Sequence, residues 1–338
     1  MTLSIKLLDS TLEKVWDELV ISSSQGTLFH TVRWLRLVQN HIDAEFHPLM
    51  FYKGNQLVAI YPIFITKKGM IKIALSPPSR SYMLYLGPIL AEYDSLKQNK
   101  KETNYLQVQE ELDNYIFKIN GCKYARIRTS PGLYDSRPLR WSGYTVDPLY
   151  TYRIDLTKGI DYVWEQFERK LRGMITKSLK EGVTVRLGDK EDLEFIHTLL
   201  YNRYTQQGIQ PTDYKNYLLD IYQQFSPENL KIFIAEYQGE RISGTLNLCW
   251  KDVMYLWVGV PKIELSGVSP NDMINWEAIK WAHMNGFHYY DEMDSGDDPR
   301  LRHFKSKYNP DLAIWYSATK YSSFFYKVSE NLFNIIRK

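Results

Sequence analysis

Cysteine is scarce in this chain and long apolar runs are absent. Its 338 residues hold two cysteines, Cys122 and Cys249, in neither a Cys-x-x-Cys pair nor a Cys/His metal spacing. Two thiols so placed predict reduced, buried side chains in a cytoplasmic protein rather than a disulfide framework. No window approaches the ~20 apolar residues a membrane span needs. Residues 1–9 mix Lys6 and Asp9 into a short alternating run, which is unlike a cleavable leader. Charge of one sign is scarce too: 42 Lys and Arg face 39 Asp and Glu, and a net charge of +3 is too small for a chain that coats DNA. The seven His form no ligand cluster, and GxxxxGK(S/T), HExxH and GxSxG are all missing. Zinc catalysis and hydride transfer are therefore not expected, and neither is a metal or redox cofactor.

What the chain does have is aromatic surface. With 26 Tyr and 9 Trp it carries many side chains that combine a flat apolar face with a hydrogen-bonding tip, as polar-ligand grooves require. Its length favours two domains.

In order, residues 3–8 read as an edge strand. Helices follow at 11–23, with Leu12, Val15, Trp16, Leu19 and Val20 on one face, and at 31–41, with Trp34, Leu35 and Val38. A three-stranded meander spans 48–53, 56–66 and 70–75, a Pro- and Tyr-rich loop 76–88, a helix 104–119 and a strand 123–128. Residues 130–144 read as irregular, and 150–156 alternate as a closing strand.

The order then recurs: strand 183–187, helices 191–204 and 214–225, a meander at 231–237, 241–250 and 252–260, helix 272–285, a strand from Phe287, and a closing strand at 313–318. Lys53-Gly54-Asn55-Gln56-Leu57 resembles Gln238-Gly239-Glu240-Arg241-Ile242. Ile119-Asn120-Gly121-Cys122-Lys123-Tyr124 resembles Met284-Asn285-Gly286-Phe287-His288-Tyr289. These matches point to a duplicated unit, with the extra residues of the first copy in 76–103.

Between the copies, 161–181 carries Trp164, Phe167, Leu171, Met174, Ile175 and Leu179 as an apolar stripe and reads as one bridging helix. Its other face holds Arg169, Lys170, Arg172, Lys177 and Lys180, either a solvated face or a phosphate-binding one. Residues 271–308 run helix, strand, acidic loop and basic helix. The strand delivers Asp291 and Glu292 to a loop, and strand ends beside helix starts are where α/β folds bind ligands. The acids of that loop fail the calcium-loop pattern, because Gly296 is not followed by the terminal Glu. The last segment, 321–338, spaces Phe324, Phe325, Val328, Leu332, Ile335 and Ile336 as a packing helix, with contact to a membrane surface as the second reading.

Strand, two helices, meander, helix, strand, helix, strand is the order of the GNAT acyltransferase fold. Two copies with a basic helix between them resemble the Fem family, the non-ribosomal aminoacyltransferases that build peptidoglycan cross-bridges. The most specific matches are Lys170-Leu171-Arg172 through Lys177-Ser178, Lys180 and Gly182-Val183, then Asn275 to Ile279, Gly286, Tyr290-Asp291, Gly296 and Phe304-Lys305. The resemblance implies an α+β protein with two tandem GNAT-like domains, each a mixed, mostly antiparallel sheet flanked by helices. Its expected boundaries are 1–157 for the acceptor-side domain, 158–182 for the bridging helix, 183–320 for the catalytic-side domain and 321–338 for the packing helix.

The resemblance also implies that Phe304 and Lys305 lie beside a reacting carbonyl, with Lys305 stabilising the oxyanion and chemistry in the cleft where the domains meet. A desolvated ammonium suits that task because the charge it meets appears only in the transition state. Asp291 is expected to orient the amine, take its proton or pair with Lys305 or Arg302. Arg80, Tyr82 and Tyr85 would hold a nucleotide- or lipid-linked muropeptide or sugar acceptor. Tyr255 and Trp257 would line a channel or the core. The segment 208–230 leaves no room for the helical arm of some Fem members, so the basic helix with Lys170, Arg172 and Lys177 is the expected tRNA contact. The turn 261–270 has one Gly and two Pro where a CoA-dependent enzyme needs free backbone N–H groups, so aminoacyl-tRNA is favoured over acyl-CoA as donor. An acyl-CoA N-acyltransferase acting on an amino sugar or surface polysaccharide precursor is the alternative, and a non-catalytic binding module the third reading.

Overall fold

A computed structural model describes residues 3–206, 214–260, 265 and 267–323. In chain order its strands are β1 (Ser4–Leu7), β2 (Glu45–Lys53), β3 (Gln56–Lys68), β4 (Ile71–Ser76), β5 (Ile89–Leu90), β6 (Tyr124–Arg128), β7 (Thr145–Asp155), β8 (Thr184–Leu187), β9 (Leu230–Tyr237), β10 (Glu240–Trp250), β11 (Val253–Gly259), β12 (Tyr289–Asp291) and β13 (Asp311–Tyr321). Its α-helices are α1 (Glu13–Ser22), α2 (Val32–His41), α3 (Gln98–Asp113), α4 (Arg137–Trp141), α5 (Ile160–Gln166), α6 (Arg169–Lys180), α7 (Lys190–Gln206), α8 (Lys215–Phe225), α9 (Pro270–Met284) and α10 (Pro299–Ser306). Two compact units result, one running to Leu149 and resuming at Ile314, the other spanning Tyr150–Ala313. Among the described residues no helix is long and apolar enough to cross a membrane.

In the first unit the strands run β1-β2-β3-β4-β6-β13, with β5 on β3. The pairs are antiparallel except β4 with β6. Phe51, Tyr61 and Ile63 bury one face of this sheet against Tyr105, Val108 and Leu112 of α3, which recur at helical spacing. The second unit repeats the plan as β8-β9-β10-β11-β12-β7, antiparallel except β11 with β12. Ile274, Ala278, Ile279 and Ala282 of α9 fill its core, while Trp281 stays half-buried at the edge. The matched turns behave alike: Gly54 and Gly239 both have positive φ, 63° and 83°, as tight hairpins require.

Three expectations need correction. The closing strands are exchanged: β13, the last strand of the second sequence copy, pairs with β6, while β7 pairs with β12. Residues 161–181 are two helices, α5 and α6. Phe167 is extended, with ψ 146°, because its ring is buried between Trp276 and Tyr308 and the next N–H, on Glu168, donates to the Lys307 carbonyl. The 130–144 segment contains the short helix α4, with Pro138 in its first turn. Most of the expected C-terminal helix, part of the 261–270 turn and residues 207–213 lie outside the described residues.

Candidate active site

The short strand β12 organises the second unit's site. It lies between β11 and β7, with Tyr290 opposite Met254 on one side and Ile154 on the other. Tyr290 is fully buried, and its hydroxyl lies 2.8 Å from Asn275 Oδ1 and 3.1 Å from Asn247 Oδ1. Asp291, also fully buried, accepts from Thr151 Oγ1 (3.1 Å), Arg153 Nε and Nη2 (3.2 and 3.0 Å) and the Met293 N–H (2.8 Å). Its lone pairs are therefore committed to holding the strand end.

Glu292 follows at the start of the loop, 0% exposed. Asn275 Nδ2 donates to its Oε1 at 2.5 Å, while Oε2 has no hydrogen-bond partner among the described residues. Burial pushes this carboxyl up to about 8, against the pull of Lys305, Asn275 and Lys307. Two further acids of the loop are structural: Asp294 accepts from Gly296 N–H, and Asp298 caps α10 by accepting from the Arg300 N–H, with Pro299 in the first turn. Met293 turns the loop with a φ of 63°, a strained value for a side chain of its size.

Lys305 is the single buried residue of the eight-residue helix α10, 6% exposed. Its Nζ donates to the carbonyl oxygens of Glu292 (2.5 Å) and Asp294 (2.6 Å). Burial lowers the Lys305 ammonium below the ordinary lysine range, opposed first by Glu292 and then by Asp291 and Asp294. Phe304 is half-buried against Tyr308, with Lys307 Nζ 4.4 Å from its ring centre. Arg302 is exposed on α10.

A second polar cluster closes the N-terminus of α9. Asp272, in the first turn and 5% exposed, accepts from Ser269 Oγ (2.8 Å), Lys307 Nζ (2.5 Å) and Tyr308 OH (2.9 Å). The Ser269 N–H donates to Ser178 Oγ of α6 at 2.8 Å. Lys177 lies over Gly267, whose added Cβ would come 2.9 Å from Nζ. A carboxylate thus already sits at the positive end of this helix.

The other sequence-derived candidates scatter. Lys170 and Lys177 are exposed on α6, and Arg172 pairs with Glu165 at 2.5 Å. Tyr255 and Trp257 are buried on β11, where a register shift opposite Leu246 and Asn247 makes Trp257 the extra residue of a bulge. In the first unit Arg80 is exposed and Tyr82 half-exposed, both at positive φ (63° and 54°). Tyr85 is fully buried between Phe29 and Trp315, where a packing residue sits. Sequence reading gave Glu292 no role beyond the acidic loop. No alternation singled it out, since Glu292 lies past the end of β12 and Asp291 before it is equally buried.

Residues 165–306 match the family described as Acetyltransferase (GNAT) domain. No curated protein matches the sequence. Among solved structures, FemX superposes with a TM-score of 0.70 at 14% identity, covering 93% of this chain and 96% of that one. A tandem GNAT protein from the clavulanic acid biosynthesis pathway gives 0.57 at 8% identity, covering 95% and 99%. L-PGS from Bacillus licheniformis gives 0.54 at 15% identity, covering 93% and 92%. The fold is thus that of the GNAT acyltransferases, present twice in tandem. Within that class it is the Fem-like tandem fold.

Proposed function

We propose that this chain is an acyltransferase that forms an amide on an amine of a cell-envelope precursor, with aminoacyl-tRNA as the donor. The observation that carries the reading is Lys305, a cation buried on backbone carbonyls at the end of β12. A buried ammonium is costly, and nothing in the packing of α10 requires one. Two of its three donors are used on the Glu292 and Asp294 carbonyls, and the third is left for a charge that arrives with substrate. The acceptor nitrogen attacks the ester carbonyl carbon, the C–N bond forms, and the π electrons move to the carbonyl oxygen, where Lys305 meets them. Collapse expels the ribose oxygen of the tRNA, which takes the proton the amine loses. Asp291 is saturated by Thr151, Arg153 and Met293 and takes no part in that transfer.

Two further features favour tRNA over CoA. The helix terminus that would receive a pyrophosphate is occupied by Asp272, whose charge would repel it. The exposed Lys170 and Lys177 of α6 suit the phosphates of a nucleic acid backbone. Arg80, exposed, and Tyr82, half-exposed, both at strained φ, are the candidate contacts for a nucleotide- or lipid-linked muropeptide.

The test supplies radiolabelled aminoacyl-tRNA or acyl-CoA together with muropeptide or amino-sugar acceptors, to the wild type and to Lys305→Met. Transfer from aminoacyl-tRNA is expected, with kcat/KM reduced roughly 100- to 1,000-fold in the variant at unchanged circular dichroism. An unchanged kcat/KM overturns the role of Lys305. Transfer from acyl-CoA alone overturns the donor and supports the N-acyltransferase alternative.

A further inference from the structure

The proposed reaction needs Lys305 charged, and its burial works against that charge. Something nearby must hold the proton on it. The groups that act on Lys305 are Asp291 on β12 and Glu292 and Asp294 on the following loop, while Lys307, beyond its own helix, acts on Glu292. Asp291 already answers to Arg153 on β7, and Lys307 to Asp272 on α9. Asp294 is half-exposed and screened by solvent, and its carboxylate accepts from Gly296 N–H. Glu292 remains, fully buried, with its own main-chain carbonyl bonded to Lys305 Nζ.

The surroundings of Glu292 are built to hold it. Asn275 grips one carboxyl oxygen, Tyr290 lies within hydrogen-bond distance of Asn275 Oδ1 and Asn247 Oδ1, and Asn247 Nδ2 donates to Thr245 Oγ1 at 2.9 Å. All five residues are buried. A polar chain of this length inside an apolar core is expensive, and it ends on a carboxyl whose second oxygen no described residue satisfies.

We propose that Glu292 is a positioning residue that sets the charge of Lys305, its carboxylate acting as the buried counter-charge that keeps the proton on the ammonium as pH rises. This rests on the acyl-transfer reading for its catalytic meaning, but not for its measurement. Well below pH 8 burial keeps the proton on the Glu292 carboxyl, which then carries no charge. As the pH rises Glu292 ionises, and its charge then delays the deprotonation that desolvation would impose on Lys305.

The experiment is an NMR titration of the full chain without substrate, following the Lys305 Cε and Nζ resonances, assigned by their loss in Lys305→Met. In Glu292→Gln the amide can still accept from Asn275, and the Lys305 inflection is expected to move down by on the order of one pH unit or more. Glu292→Asp, which restores a carboxyl, should recover part of the shift. A wild-type inflection in the Gln variant overturns the inference whatever the activity. If the Gln variant does not fold, the wild type decides: its Lys305 resonances must show a second inflection where the Glu292 carboxyl carbon titrates, and a single-step curve overturns the pairing. In the transfer assay the basic limb of the pH profile should shift down by the same amount in Glu292→Gln, with rates converging on wild type at the acid end of the profile. A shifted titration with no transfer by either protein leaves the pair standing and overturns the acyl-transfer reading instead.

Discussion

Arg153 grips Asp291 from the neighbouring strand, its Nε and Nη2 lying 3.2 and 3.0 Å from the same carboxylate oxygen. Asp291 is fully buried and Arg153 about a quarter exposed, at 23% of its side chain. Arg153→Met strands a buried carboxylate that retains only Thr151 and the Met293 N–H. Loss of one partner from such a pair costs ~3–5 kcal/mol, and the lower end applies here because the arginine is partly solvated. The second unit should melt several degrees lower, by calorimetry. Asp291→Asn has one accepting oxygen for the Met293 N–H and turns its NH2 toward Thr151 and the Arg153 fork, so it too should lower the melting temperature. A wild-type melting profile for Arg153→Met would show that Asp291 is not the anchor of this strand end.

Glu292 predicts a pH dependence of stability whose sign is opposite to that of most carboxylates. Burial raises its folded value from 4.5 to about 8, so between these limits the folded chain holds a proton that the unfolded chain has released. Stability from this group is full below about 4.5 and is lost as pH rises through about 8. Lys305, lowered in the fold, contributes with the opposite sign. The urea midpoint of the second unit's transition should therefore decline from about pH 5 to about pH 8.5, and Glu292→Gln should flatten the decline. A variant with the wild-type slope would mean that Glu292 ionises freely in the folded state.

Much of this was legible in the sequence, for reasons that also mark where it stopped. The meanders, α9 and the duplication rest on hydrophobic periodicity and on the paired turns at Gly54 and Gly239, which are local features. The exchange of β7 and β13 was not legible, because alternation shows that a strand is half-buried and says nothing of whose edge it joins. The break between α5 and α6 depends on a distant carbonyl, that of Lys307, taking the Glu168 N–H. At the site, Lys305 was reached through family resemblance. Its carbonyl cage depends on the loop turning back at Met293, a positive φ that no residue there advertises.

The two cysteines offer a simple check on burial. Desolvation pushes Cys122 up to about 11 and Cys249 up to about 12, both against the weaker pull of nearby lysines. Since the thiolate is the nucleophile, neither should react with iodoacetamide at pH 8 on the timescale that modifies both in denaturant. Rapid native labelling of Cys249 in particular would mean that β10 opens, since this thiol belongs to the second unit's core.

Asp272 tests the choice of donor through the helix it caps. Its carboxylate lies in the first turn of α9 and holds Ser269, Lys307 and Tyr308, the last fully buried. Asp272→Ser removes a favourable charge at the positive end of the dipole and leaves Lys307 and the Tyr308 hydroxyl without it, so a loss of ~3 kcal/mol is expected. The same change removes the negative charge that would repel a pyrophosphate and releases a lysine to meet one. Calorimetric titration with CoA should therefore show negligible binding to the wild type and binding at least about tenfold tighter in the variant, the equivalent of ~1.4 kcal/mol. If the wild type binds CoA and Asp272→Ser weakens it, the carboxylate is part of a CoA site, and the donor proposed here is wrong.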